Sequence, residues 1–146
     1  MGRFTGPLRL EEVGYELWAI IDGFEFYSDT GIIVPIEPGF RTDLASVPHL
    51  LGPVVPKIGY WSQPAAVHDK VYRDHREGRD TKISRMTADR LLLEGMRIKA
   101  KEYKVPDIDR RDWLIFGGVV AAGENTWMND EEREEYERKQ REYADL

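Results

Sequence analysis

Two residues capable of acid–base chemistry stand side by side near the middle of the chain, His68 and Asp69. They belong to the run AAVHDKVY over 65–72, which has a helical pattern. Tyr72 and His75 follow His68 by four and seven residues, so the three side chains share one helix face. Histidine is the natural base near neutral pH, and this face is therefore the first candidate for a catalytic site.

A further carboxylate, Asp89, lies on the next predicted helix, on the same face as Arg85. A short turn joins the two helices, so they should pack antiparallel and could bring Asp89 within hydrogen-bonding reach of His68. A carboxylate on the far nitrogen of a histidine fixes its tautomer and stabilises the imidazolium. In this interpretation His68 activates water, Asp89 orients His68, and Asp69 binds a hard cation. That cation, Ca²⁺ or Mg²⁺, would polarise a carbonyl or phosphoryl oxygen.

The same residues also have a purely structural interpretation. His68 can be a hydrogen-bonded core histidine, and Asp69 can be a local cap or an ion-pair partner. Two-residue motifs recur by accident, so spacing alone favours this structural interpretation. Both interpretations stay open at this point.

The stretch TDLASVP over 42–48 is the second unusual motif. The functional interpretation places Asp43 and Ser46 at the rim of the site as substrate or metal contacts. Thr42 and Arg85 complete the candidate substrate-binding set. The alternative is a turn whose polar side chains bind their own backbone, as short polar side chains often do.

The elements that must position these residues fall into two halves. Residues 3–48 read as short strands, with alternation over 13–21 and an Asp22-Gly23 pair that predicts a hairpin into 24–27. A long connection over 48–64 is rich in Pro and Gly but also apolar, so it should fold over the body of the protein.

Helical patterns dominate the second half of the chain. Helices are predicted over 62–76, from Ser84 to Tyr103, and from Pro106 through an apolar stretch at 113–122. An acidic helix should begin at Asn129, three residues before Glu132. The prediction is an α+β fold: an N-terminal antiparallel β-meander, a three-helix core and an acidic C-terminal helix. One domain would span 1–128, followed by a charged tail over 129–146.

Composition excludes several classes of protein. The 146 residues contain no cysteine, which rules out disulfide scaffolds, thiolate metal sites and cysteine nucleophiles. With 21 basic and 27 acidic residues the net charge is −6, which argues against general nucleic-acid binding. No apolar run is long enough for a transmembrane segment, and the start lacks a signal-peptide core, so a soluble intracellular protein is expected.

The motifs together resemble a known family. FRTDLASVP (40–48), AAVHDKVY (65–72), RMTAD (85–89) and an apolar helix before Trp127 occur in the order of a domain-of-unknown-function family of small proteins, found widely in bacteriophages and prophages. The resemblance covers roughly residues 20–128. It implies a phage or prophage setting, in the host bacterial cytoplasm or with the virion, and phage structural proteins as partners. Lys70 departs from the pattern, because an apolar or aromatic residue is expected there.

The helix pair is also similar to the catalytic core of phospholipase A2. In that family the histidine activates water, the adjacent aspartate binds calcium, the tyrosine braces the dyad and a later aspartate partners the histidine. The resemblance implies these roles for His68, Asp69, Tyr72 and Asp89. The Gly-rich calcium loop is missing, since 57–61 contains only Gly59, and so is the disulfide frame.

Three functions are compatible with the sequence. The first is a small hydrolase with a His68–Asp89 dyad, aided by Ca²⁺ or Mg²⁺, acting on a small-molecule or lipid substrate. The bond would be a phospholipid ester or a phosphodiester, such as that of a nucleotide signal in host defence. The second is a phage structural or assembly protein in which the polar residues form an internal brace. The third is a protein that sequesters a small ligand under the 48–64 connection.

Overall fold

The computed structural model describes residues 2–15, 17–42, 59–79, 82–105, 127 and 130–145. Strands come first and helices follow, so the α+β class is confirmed. The described strands are β1 (Arg3–Phe4), β2 (Leu10–Gly14), β3 (Leu17–Ile20), β4 (Phe24–Tyr27), β5 (Ile33–Ile36) and β6 (Arg41–Thr42). The described helices are α1 (Ser62–Arg76), α2 (Arg85–Glu102) and α3 (Asp130–Ala144).

The strands form two small antiparallel sheets rather than one continuous meander. Their orders are β1-β4-β5 and β2-β3-β6. The Asp22-Gly23 pair therefore joins strands of different sheets, and the hairpin predicted there is wrong. Local turn chemistry is compatible with a reversal at Gly23, but strand partners are chosen by the side chains they bury. Phe24 and Phe26 are buried on β4 and direct it into the β1-β4-β5 sheet.

The hydrophobic core lies between the strands and the helix pair. β4 and β5 bury alternate residues, as half-buried strands do. Helix α1 contacts β5, β6 and α2. Fully buried side chains come from both halves of the chain: Ile20, Phe26, Val67, Val71, Leu92 and Met96. The site residues on α1 and α2 are therefore held by elements that the core itself fixes.

Helices α1 and α2 are antiparallel and very close. Pro64 near the start of α1 faces Gly95 in the second half of α2, while Tyr72 bonds Asp89 in the first half of α2. A Cβ at Gly95 would lie 3.0 Å from Pro64 Cβ, so a side chain there would push the helices apart. Ala88, seven residues before Gly95 and so on the same face of α2, is completely buried. This close approach lets side chains on the two helices hydrogen-bond directly.

The ends of both helices agree with the prediction to within a residue or two. Trp61 is the N-cap residue of α1, and its side chain makes no capping hydrogen bond. The hydroxyl of Ser62 accepts a hydrogen bond from the backbone N–H of Gly59, which precedes the helix. Gly78, just beyond α1, has φ +78°, a conformation that favours glycine. Ser84 caps α2 by accepting a hydrogen bond from Thr87 N.

Several predicted features lie outside the described residues. These are the third helix with its apolar stretch at 113–122, most of the 48–64 connection and the capping residue Asn129. The acidic C-terminal helix is present as α3. None of the described helices combines the length and apolar character needed to cross a membrane.

Candidate active site

His68, Asp89 and Tyr72 meet at the interface of the two antiparallel helices. Nε2 of His68 lies 2.7 Å from Oδ1 of Asp89. The hydroxyl of Tyr72 donates a hydrogen bond of 2.5 Å to the same oxygen. The contact between His68 and Asp89 expected from helix packing is therefore formed, and Tyr72 joins it one turn further along α1.

The carboxylate at the centre of this cluster is almost completely enclosed. Asp89 is 1% exposed, while the side chain of His68 is 12% exposed. A buried carboxylate requires hydrogen-bond donors, and His68 and Tyr72 supply them. Burial raises the pKa of Tyr72, and its hydrogen bond to Asp89 and the negative charge there raise it further. Tyr72 therefore acts as a permanent donor to Asp89 and not as a base.

The hydrogen bond to Asp89 determines which nitrogen of His68 is free for chemistry. An ionised carboxylate can only accept hydrogen bonds, so Nε2 of His68 carries the proton and Nδ1 keeps its lone pair. Within the described part of the chain, Nδ1 has no hydrogen-bond partner. A base oriented by a buried acid is the arrangement used to remove a proton from water.

A row of aromatic rings extends from the dyad towards the C-terminal part of the chain. The ring centroids of His68 and Tyr72 are 4.1 Å apart, and Tyr72 meets Trp127 edge-on at 4.9 Å. Trp127 stacks on His75 at 3.9 Å, and Nε2 of His75 lies 3.2 Å from the carboxylate of Glu132 on α3. Trp127 thus covers the part of this helix face that Tyr72 and His75 form. No local signal in the sequence connects Glu132 with His75.

Asp69 points to a different set of partners from His68. Its Oδ2 lies 3.4 Å from Nη2 of Arg73, one turn along α1. Within the described ranges, no three His, Asp or Glu side chains cluster closely enough to hold a metal ion.

The structure describes two of the predicted substrate-binding residues, Thr42 and Arg85. Each has a buried polar atom that lacks a hydrogen-bond partner among the described residues. Thr42 on β6 is 1% exposed, and its Oγ1 makes no hydrogen bond to any described residue. Its neighbour Arg41 accepts a hydrogen bond through its carbonyl from Arg73, which ties β6 to α1. Arg85 opens α2, and its buried Nη1 has no acceptor among the residues that the structure describes. The other two residues, Asp43 and Ser46, lie outside the described residues.

A separate surface groove of about 390 Å³ is lined by Lys70 and Arg73 of α1, and neither His68 nor Asp89 lines it. Phe40 forms part of its wall, with Arg73 at 4.7 Å from the ring centroid. Sequence reasoning did not identify this groove, because it depends on how β5, β6 and α1 meet. Its cations are matched by acidic neighbours, and Lys70 is paired with Glu37 and Asp74.

Comparison with known families gives one match. A family model described as "Protein of unknown function (DUF1353)" matches residues 18–119, about two thirds of the chain and both helices of the site. Comparison with curated proteins and with solved structures gives no significant match.

Proposed function

This chain belongs to the DUF1353 family, and we propose that it is a small hydrolase in which His68 is the general base and Asp89 positions it. The family description assigns no activity, so the proposal rests on the site. The observation that carries it is the 2.7 Å contact between Nε2 of His68 and Oδ1 of Asp89, with Nδ1 left without a partner among the described residues.

The proposed reaction begins with water bound at Nδ1 of His68. Nδ1 takes a proton from this water as the oxygen attacks an ester carbonyl or a phosphodiester phosphorus. The imidazolium that forms is stabilised by Asp89, whose other donor is Tyr72. His68 can then return the proton to the leaving oxygen, which completes hydrolysis.

The similarity of the helix pair to phospholipase A2 supports this division of roles. The similarity is weakest at the metal, since Asp69 lies beside Arg73. The order of the TDLASVP and HDxxY motifs is the basis for proposing a phage or prophage origin. In that setting a nucleotide defence signal is as suitable a substrate as a phospholipid.

The test is turnover by the wild-type chain and by His68→Ala. Substrates would be bis(p-nitrophenyl) phosphate, p-nitrophenyl butyrate, cyclic dinucleotides and phosphatidylglycerol vesicles, each with Ca²⁺, Mg²⁺ or a chelator. The expected result is turnover of at least one substrate, reduced roughly 10²–10⁴-fold in His68→Ala. His75→Gln is the matched control on the same helix and should retain turnover. No turnover by the wild type, or full turnover by His68→Ala, would contradict the proposal.

One observation favours the alternative of a phage structural or assembly protein. Asp89 is 1% exposed and satisfied by two donors, as expected of an internal brace. In that case the wild type would show no turnover, and His68→Ala would still lower the free energy of unfolding. Copurification of the chain with virions would support this second function.

A further inference from the structure

Arg85 is a charged residue next to the proposed dyad that the reaction does not use. It precedes Asp89 by one helical turn on α2, so both side chains project from the same face. The positive charge of Arg85 opposes the rise in the pKa of Tyr72 that burial and Asp89 cause. Arg85 and Asp89 therefore lie on the same side of α2, and Asp89 is the residue to which Tyr72 donates.

One end of this guanidinium is buried without a hydrogen-bond acceptor. In the ranges that the structure describes, Nη1 of Arg85 has no partner. Two other arginines have hydrogen-bond acceptors. Arg73 donates to the carbonyl of Arg41 at 2.6 Å, and Arg79 donates to Asp74 at 2.9 Å. A buried donor without an acceptor is costly, and more so when it carries charge. Such a group in a native protein calls for an explanation, and a bound ligand supplies one.

We propose that Arg85 binds a non-bridging phosphate oxygen of the substrate beside His68, which makes the substrate a phosphodiester-containing molecule. This inference rests on the proposed hydrolase function, because it places the phosphate next to the dyad. A guanidinium stays charged at every physiological pH and matches the geometry of phosphate oxygens. Nucleotides and phospholipids share this chemistry, whereas a neutral ester offers no charge for Arg85 to bind.

The groove beside Phe40 is a weaker candidate for the same ligand. It contains Lys70, Arg73 and Arg79, each of which already pairs with an acidic side chain, and Arg41, which is exposed. A phosphate would have to displace these ion pairs. Nη1 of Arg85 has no hydrogen-bond acceptor among the described residues, so a phosphate that binds there would displace none of them.

The test measures binding of inorganic phosphate by calorimetry, so it does not depend on turnover. Arg85→Gln should weaken binding roughly tenfold or more, which corresponds to about 1.4 kcal/mol. Arg85→Lys should keep part of the affinity, because it retains the charge but not the fork of donors. Arg90→Gln, exposed on the same helix, and Arg79→Gln, in the groove, should bind as the wild type does.

His68→Ala separates this inference from the proposed function. It should still bind phosphate even though it loses turnover. Absence of phosphate binding by the wild type, or equal binding by Arg85→Gln, would overturn the role of Arg85 whether or not the protein is a hydrolase. If Arg85→Gln does not fold, phosphate binding by Arg85→Lys is compared with that by the wild type instead.

Two further ligands distinguish the source of the phosphate. Adenosine monophosphate represents nucleotides, and phosphatidylglycerol vesicles represent lipids. Binding of either that is weakened in Arg85→Gln supports the inference and identifies the source. If Arg85→Gln binds both adenosine monophosphate and phosphatidylglycerol vesicles as the wild type does, the result counts against the inference.

Discussion

Oδ1 of Asp89 lies 2.7 Å from Nε2 of His68, across the interface of two antiparallel helices. Both residues stand on helices that approach closely where Gly95 of α2 faces Pro64 of α1. The geometry of the pair is consequently held by the core rather than by a loop. Rigid elements of this kind are suited to positioning a base.

Replacing Asp89 by Asn should remove most of the proposed activity while keeping the shape of the site. The amide can donate to Nε2 of His68, which would move the proton to Nδ1 and abolish the base. We expect turnover to fall roughly 10²–10⁴-fold. The free energy of unfolding should fall by about 1–2 kcal/mol, because a hydrogen bond from Tyr72 to a charged acceptor is weakened.

The measurements for Asp89→Asn are steady-state turnover of whichever substrate the wild type cleaves and urea unfolding. Glu102→Gln is the matched control, since it removes an exposed carboxylate from the same helix. Wild-type turnover in Asp89→Asn would show that Asp89 does not position the base.

Tyr72→Phe tests the hydroxyl without disturbing the aromatic row. The phenyl ring can keep its contacts with His68 and Trp127, whereas the hydrogen bond to Asp89 is lost. We expect a loss of about 1.5–3 kcal/mol of stability near neutral pH.

The raised pKa of Tyr72 also predicts how the stability of the wild type and of Tyr72→Phe should differ at high pH. Above about pH 10 the unfolded chain ionises this tyrosine while the folded chain keeps the proton, so stability falls as the pH rises. The wild type should therefore lose more stability between about pH 9 and about pH 11 than Tyr72→Phe does. Tyr15→Phe, at a position that is 92% exposed, should behave as the wild type. Equal losses in wild type and Tyr72→Phe would contradict this assignment.

Lys70 is a buried cation whose replacement should be tolerated if its volume is kept. It is 5% exposed, and its Nζ lies 3.2 Å from both Glu37 and Asp74. Lys70→Met keeps the volume of the stem. Glu37 is 61% exposed, and Asp74 keeps its ion pair with Arg79, so neither carboxylate is left buried without a partner. The change in stability at pH 7 should therefore stay below about 1 kcal/mol. Lys70→Ala should cost about 2–3 kcal/mol, because the packing of the stem is lost as well.

Acid should distinguish Lys70→Met from the wild type. Burial acts to raise the pKa of Glu37, but a backbone hydrogen bond and Lys70 outweigh it and lower that pKa. A lowered pKa stabilises the fold above about pH 4.5, and this contribution is lost as the pH falls. Lys70→Met should therefore lose less stability on acidification, by a small margin because Glu37 is largely exposed. Urea unfolding at about pH 7 and about pH 3.5 measures this, with Lys101→Met as an exposed control. A steeper acid dependence in Lys70→Met would refute it.

The sequence by itself determined the α+β class, the extents of α1 and α2, and the alignment of His68 with Tyr72. These features depend on local physics: apolar periodicity, a Ser84 cap, a glycine after α1, and the four-residue repeat of a helix face. The meeting of His68 with Asp89 could also be foreseen, since a short connection between two helices favours antiparallel packing.

Only the tertiary structure decided which strands pair and what surrounds the site. Gly23 is compatible with a hairpin, yet β3 and β4 belong to different sheets because burial of Phe26 selects its partners. The contact of Trp127 with Tyr72 also depends on elements distant in sequence, as does the burial of Nη1 of Arg85 without an acceptor among the described residues. Such contacts are set by packing of the whole core, and no local pattern encodes them.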